Sequence, residues 1–189
     1  MIYFISDHHW GHKAVIWMSD RPFEHIHEMN IFMIEKWNEV VGPDDEVYYL
    51  GDWMYKMNPN AFVKNVLNNL NGKIYSLIGN HDERHIHKYM DRLEWVKDRF
   101  ELKYTHDEKE YKFILDHYPI QSWKGMWRGT IHLHGHTHHK TTDLHYDSLG
   151  FKLNVNCEIL EYKPISIIEV INRFKDRKIN DNYRKENMK

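Results

Sequence analysis

Short apolar runs alternate with amphipathic stretches along most of the chain. Residues 2–6, 46–50, 73–78, 112–115 and 130–134 are β-rich and short, which predicts buried or half-buried strands. Residues 151–155 alternate apolar and polar side chains and predict another. Between the first two strands, residues 27–40 set Ile31, Met33, Ile34, Trp37 and Val40 at helical spacings. Residues 60–70 repeat the pattern with Phe62, Val66, Leu67 and Leu70, and residues 85–95 predict a third helix. Ser166 and Glu169 form a capping box for a short helix over Ile167, Ile168 and Ile171. Strands alternating with helices argue an α/β layered domain. Residues 1–172 are read as one domain and residues 173–189 as a charged tail.

Composition narrows the class. The 189 residues are 41% hydrophobic and 29% charged, ordinary for a globular protein with one sizeable core. No apolar run approaches the ~18–20 residues of a membrane span. The apolar start is cut short by Asp7, with no basic segment or cleavage site, so it reads as a first strand rather than a signal peptide. Cys157 is the single cysteine, which excludes an internal disulfide and multi-thiolate zinc sites and favours a cytoplasmic location. A net charge of -2 gives no footprint for strong nucleic-acid binding. The unusual number is 16 histidines, because imidazole is the commonest side-chain ligand for transition metals.

Those histidines fall where strands end. One run leads into Asp7-His8-His9, a second into Asp52, a third into Asn80-His81-Asp82, a fourth into His117 and a fifth into His136-Thr137-His138. Ligands in α/β sheets gather at the carboxyl ends of strands. Asp7 with His9, and His136 with His138, stand at i and i+2, which puts each pair on one side of an extended chain. By the same alternation His8 turns away. His132 and His134 lie too early in their strand, so packing is expected of all three. Carboxylate, imidazole and amide ligands without thiolate suit two divalent ions such as Mn²⁺, Fe²⁺, Ni²⁺ or Zn²⁺. Two ions held mainly against Asp7 and Asp52 leave a cationic site that attracts phosphate, and neutral Asn80 keeps it so.

In these blocks the sequence resembles the calcineurin-like metallophosphoesterases, small bacterial and phage members in particular. Asp7-His8-His9, Gly51-Asp52, Gly79-Asn80-His81-Asp82, His117 and Gly135-His136-Thr137-His138 follow that family's signature in order. The likeness extends through Gly11-His12-Lys13, Arg21-Pro22-Phe23, Trp37-Asn38, Asn154-Val155-Asn156 and Tyr162-Lys163-Pro164. It implies two β-sheets packed face to face and flanked by helices, a four-layer α/β/β/α sandwich with the metals at the strand ends. It implies a first metal on Asp7, His9 and His138, a second on Asn80, His117 and His136, and Asp52 bridging them. A hydroxide between the metals would attack a phosphate ester, and His81 would protonate the leaving oxygen. The Arg-Gly that follows Gly-Asp in Ser/Thr protein phosphatases is absent; Trp53-Met54-Tyr55 stands there, which disfavours that role.

The expected substrate is a small, nucleotide-like or generic phosphomonoester or diester, with Arg84, His12 and Trp53 as candidate contacts and Arg128 as a weaker one. His139 is a further candidate for the cleft. His25, His27, His85, His87, His106 and His145 lack partners at ligand spacing and read as filler. A nuclease on polymeric DNA or RNA, and a non-catalytic binding scaffold, are the rival functions. No membrane association is expected, and homo-oligomerisation is left open.

Overall fold

The computed structural model describes residues 1–138 and 150–177, so His139, His145 and the charged tail past residue 177 lie outside the described residues. Four parallel strands build the first sheet: β1 (Ile2–Ile5), β2 (Glu46–Tyr49), β3 (Lys73–Leu77) and β4 (Trp95–Lys97). A two-residue strand late in the chain, β9 (Ile165–Ser166), pairs antiparallel with β1 and gives the order β4-β3-β2-β1-β9. The second sheet runs β5-β6-β7-β8, with β5 (Arg99–His106), β6 (Lys109–Asp116), β7 (Ile131–His134) and β8 (Phe151–Asn154). Here β5 and β6 form an antiparallel hairpin, whereas β6, β7 and β8 are parallel.

Apolar faces explain the stacking of the layers. Phe4 on β1 meets Phe113 on β6 with centroids 6.0 Å apart, and Tyr48 on β2 stacks on Phe100 of β5 at 5.8 Å. Residues of opposite parity face a helical layer. After the single turn α1 (Val15–Met18), the helix α2 (Ile26–Val40) buries Met29, Met33 and Trp37, one helical turn apart, and Trp37 lies against Tyr49. Trp53 stacks on Tyr49 at 3.5 Å and touches Phe62 of α3 (Pro59–Asn65). The expected two-sheet α/β architecture holds.

Several elements differ from the sequence reading. The helix expected over residues 60–70 stops at Asn65 and tightens into a 3₁₀ turn at Leu67–Asn69. Its start is set by Asn58, whose side chain accepts from the Asn60 and Ala61 amides, and by Pro59 in the first turn. Residues 85–95 form no α-helix: two 3₁₀ turns, Ile86–Lys88 and Met90–Arg92, lead into β4. Trp95 packs on Tyr75 and Phe100, so pairing with β3 overrides local helical spacing. The hairpin strand β5 was not anticipated, because half of it is solvent-facing and its turn is Asp107-Glu108, both left-handed, in place of an Asn-Gly signal. The capping box forms as expected and opens α4 (Ile167–Phe174).

His132 illustrates a histidine used for packing. It is buried beside Trp123; its Nδ1 lies 3.1 Å from the Ile114 carbonyl, and its Nε2 accepts from the Ile120 amide at 3.2 Å. Both bonds fit only the neutral ring, and burial, then His134 nearby, push its pKa from 6.5 down to about 4. Between those values the unfolded chain takes up a proton that the folded one refuses, so stability falls as pH drops from 6.5 toward 4. The loss from this one residue is on the order of 3 kcal/mol. His132→Gln should flatten the acid limb of a series of urea midpoints measured across this range. An unchanged slope would show that other groups carry it.

Candidate metal centre at the seam of the two sheets

Past their last strand residues, the two sheets are joined directly. Ser6 and Asn156 form an isolated parallel bridge, with the Ser6 amide donating to the Val155 carbonyl and the Cys157 amide to Ser6. Asp7 follows at once, and its amide donates to the Gly51 carbonyl at the end of β2. The carboxyl ends of β1, β2, β3, β6 and β7 therefore open onto one place.

There the expected ligands converge. Asp7, His9 and His138 form one group able to hold a metal ion, and Asp52, His117 and His136 another, with ligand atoms within 4.8 Å of each other in each. The Asp52 carboxylate lies between them, 3.6 Å from His9 Nε2 and 3.5 Å from His117 Nε2. Asn80 Oδ1 is 3.1 Å from His117 Nε2 and 2.9 Å from His136 Nδ1. The amino-acid types expected from the sequence are thus brought together.

Proton placement tests whether this set fits a cation. His117 Nδ1 lies 2.8 Å from the Leu50 carbonyl, an acceptor, so it carries the proton and Nε2 presents a lone pair toward Asp52. His138 Nδ1 faces both oxygens of the Glu158 carboxylate, and its Nε2 lies 3.2 Å from His9 Nε2, too close for both nitrogens to carry protons. Acceptors and carboxylates aimed at one another repel unless positive charge stands among them. The titration directions of Asp7 and His9 agree, whereas His138 is raised: burial lowers it, and its bond to Glu158, with the charges of Glu158 and Asp7, outweighs the burial. Burial raises the pKa of Asp7, with His117 pulling it down and Asp52 pushing it further up. Burial, and then His138, push His9 well below its ordinary value. The donor set fits divalent ions.

Convergence comes from turns rather than from strand alternation. Asp7, His9, Asp52, His136 and His138 all have left-handed backbones, with φ between 48° and 70°. Such residues cost roughly 1–2 kcal/mol each outside glycine, and strain of this kind gathers at functional sites. The i, i+2 argument from an extended chain is therefore corrected: each pair is aimed by its turn. His8 does face away, stacked on Trp10 at 4.9 Å and within reach of the Tyr49 hydroxyl. Two glycines permit close approach beneath the carboxylates. A Cβ on Gly79 would sit 2.2 Å from Asp52 Oδ1, and one on Gly135 2.2 Å from Asp7 Oδ2.

His81 lies beside the cluster. Its ring is edge-on to His9 at 5.0 Å and to Tyr55 at 5.2 Å, and its amide donates to Asp52 Oδ1. A ring nitrogen falls within the same 4.8 Å limit of His9 and Asp52. His12 lines the same side, 4.3 Å from Tyr55, and burial followed by His81 pushes it down to about 4. Arg84 is exposed on the turn after His81. Trp53 is corrected: its indole is fully buried and donates to Ser76 Oγ, so it is a core residue and does not line the cleft. Arg128 borders a different cavity of about 330 Å³, lined by Leu102, Phe113 and Phe151, at the opposite end of the second sheet.

Three contributors escaped the sequence reading. Asp82 accepts from the amides of Asp52, Trp53 and Gly79, pinning the β2 and β3 loops together; burial, and then Asp52, push it up to about 7. Its place in the Gly-Asn-His-Asp block was the available signal. Tyr118, 44% exposed, packs edge-on against His117 and His136. Glu158, buried beside His138, lies 20 residues from it in sequence, and no spacing rule would have found it.

No family model matches the chain. Among solved structures, a protein of unknown function from Aquifex aeolicus, AQ665, superposes with a TM-score of 0.70 over 92% of this chain and 98% of its own, at 24% identity, and so shares the fold. The gene 66 protein of Mycobacterium phage D29 is 28% identical over 159 residues, 72% of this chain and 78% of its own length. Uncharacterized protein MJ1445 of Methanocaldococcus jannaschii is 35% identical over 187 residues, 95% of this chain and 97% of its own. At that identity and coverage, the chain belongs to the same protein family as MJ1445.

Proposed function

We propose that the protein is a metal-dependent phosphoesterase of the calcineurin-like kind, acting on small phosphomonoesters or phosphodiesters. The observation that carries this reading is the meeting of Asp7, His9, Asp52, Asn80, His117, His136 and His138 at one seam, with imidazole nitrogens turned toward carboxylate and amide oxygens. Asp7, His9 and His138 would hold one divalent ion, Asn80, His117 and His136 a second, with Asp52 shared. When bound, two such ions acidify a water and place positive charge against the phosphate oxygens. Manganese is the first candidate, with iron, nickel and zinc behind it.

The chain's own residues supply the rest. Asp52 is buried between both groups, and its contact with the His81 amide ties the shared carboxylate to the proton donor. His81, held edge-on between His9 and Tyr55, would give its ring proton to the departing oxygen. His12 and Tyr55 wall one side of the approach, and exposed Tyr118 walls the other. No helix of the described residues is long and apolar enough to cross a membrane.

Chelator-stripped protein should be inert toward p-nitrophenyl phosphate and its bis ester, and Mn²⁺, Ni²⁺ or Zn²⁺ should restore turnover. A folded, metal-loaded protein that cleaves neither ester would count against the reading, as would full activity without metal. Salt-sensitive cleavage of single-stranded DNA would redirect it toward a nuclease. Asp52→Asn should lower kcat by about two to three orders of magnitude, since several kcal/mol of charge stabilisation go with the shared carboxylate. His81→Ala should keep its metal and lose about 10²–10⁴-fold on alkyl esters, with a much smaller loss on p-nitrophenyl esters. Equal losses on both would remove His81 as the proton donor.

A further inference from the structure

Beneath the first ligand group lies a buried ion pair that the hydrolytic scheme does not use. Arg21 has a fully buried side chain, and Glu158 is only 6% exposed. The guanidinium gives Nε and Nη2 to Glu158 Oε1 at 2.7 and 2.6 Å. Its Nη1 donates to the His8 carbonyl at 2.7 Å and its Nη2 to the Asp7 carbonyl at 2.8 Å. Glu158 in turn faces His138 Nδ1, at 2.9 and 3.1 Å from its two oxygens. Its own backbone is fixed by an amide bond to the Asn156 side chain at 2.8 Å.

We infer that Arg21 and Glu158 are positioning residues for the first metal group, one guanidinium fixing all three of its ligands. This rests on the metal-site reading above. Two of the guanidinium's bonds clamp the left-handed Asp7-His8-His9 turn from below, where the backbone alone resists that conformation. The other two act through Glu158, which holds the proton on His138 Nδ1 and turns Nε2, as a lone pair, toward His9 and Asp7. A carboxylate at that nitrogen makes the imidazole a stronger donor to a cation, and the arginine keeps the carboxylate from carrying uncompensated charge into the core. Lysine cannot replace Arg21, because a single ammonium lacks the planar fork that reaches two carbonyls and a carboxylate together. The second group, on Asn80, His117 and His136, has a support of its own in the Leu50 carbonyl; it meets the first through Asp52 and through the His136 amide on the Asp7 carboxylate, and not through Arg21 or Glu158.

The inference is tested by Mn²⁺ titration of wild-type protein and Glu158→Gln, followed by calorimetry and by electron paramagnetic resonance. Wild type should take two ions and show a coupled pair. In the variant one site should weaken by about 10–100-fold, leaving the other unchanged and a mononuclear signal at low loading. Arg21→Lys should do the same. Imidazole ¹⁵N shifts of metal-free wild-type protein, in mildly alkaline buffer, supply a readout that needs no variant to fold: the His138 proton should be on Nδ1. Two ions bound equally well by wild type and Glu158→Gln would overturn the inference alone, as would a His138 proton on Nε2. A wild-type protein that binds no divalent ion would overturn the phosphoesterase reading and this inference with it.

Discussion

Where β1 and β8 run out, Ser6 and Asn156 pair backbone to backbone, and two sheets that otherwise touch through side chains become continuous. The first ligand group is built around that bridge. Asp7 is the next residue on one side, and Cys157 and Glu158 are the next two on the other. Gly135, which precedes His136 and His138, comes so close to Ser6 and Asp7 that a single added carbon would collide with both. Parallel strands make this economical, because their carboxyl ends face the same way and deliver several loops to one rim.

Gathering two buried carboxylates and several imidazoles at that rim works against the stability of the empty protein. Like charges and lone pairs face each other, and five of the contributing residues sit in a backbone conformation that side chains resist. The structure offsets this with connections that run sideways under the ligands. Asp82 collects three amides from two loops, His117 is tethered to Leu50, and Arg21 spans from the Asp7 turn to Glu158. Such a scaffold is preorganised: the ordering has been done during folding, so a bound cation meets ligands already in place.

Much of this was legible in the sequence, for a physical reason. The ligands stand at the ends of apolar runs, and both the run and the turn after it are local features. The strands β1, β2, β3, β7 and β8 were each placed to within a residue at either end. What local reading missed depends on contacts across the chain. β5 owes its existence to pairing with β6, and β4 to pairing with β3. Trp53 follows a candidate ligand directly yet points into the core, because Tyr49 and Ser76 offer it a stacking face and an acceptor. Arg21 and Glu158 are 137 residues apart, a separation no periodicity can bridge. The convergence of Asp7 with His9 was anticipated while its cause was not, since extended geometry was assumed where the chain makes a left-handed turn.

Those left-handed turns couple backbone and ligand chemistry. Aspartate, histidine and asparagine are the side chains, glycine aside, that enter this region most readily. They are also oxygen and nitrogen donors, so one requirement on residue type serves both turn and coordination. An exchange among the three at such a position alters the charge offered to a cation yet leaves the turn intact, whereas valine or isoleucine there attacks the turn itself. A lineage bearing this fold can therefore drift away from metal binding by steps that keep the sandwich folded, and the loss would show in the rim long before it showed in the core.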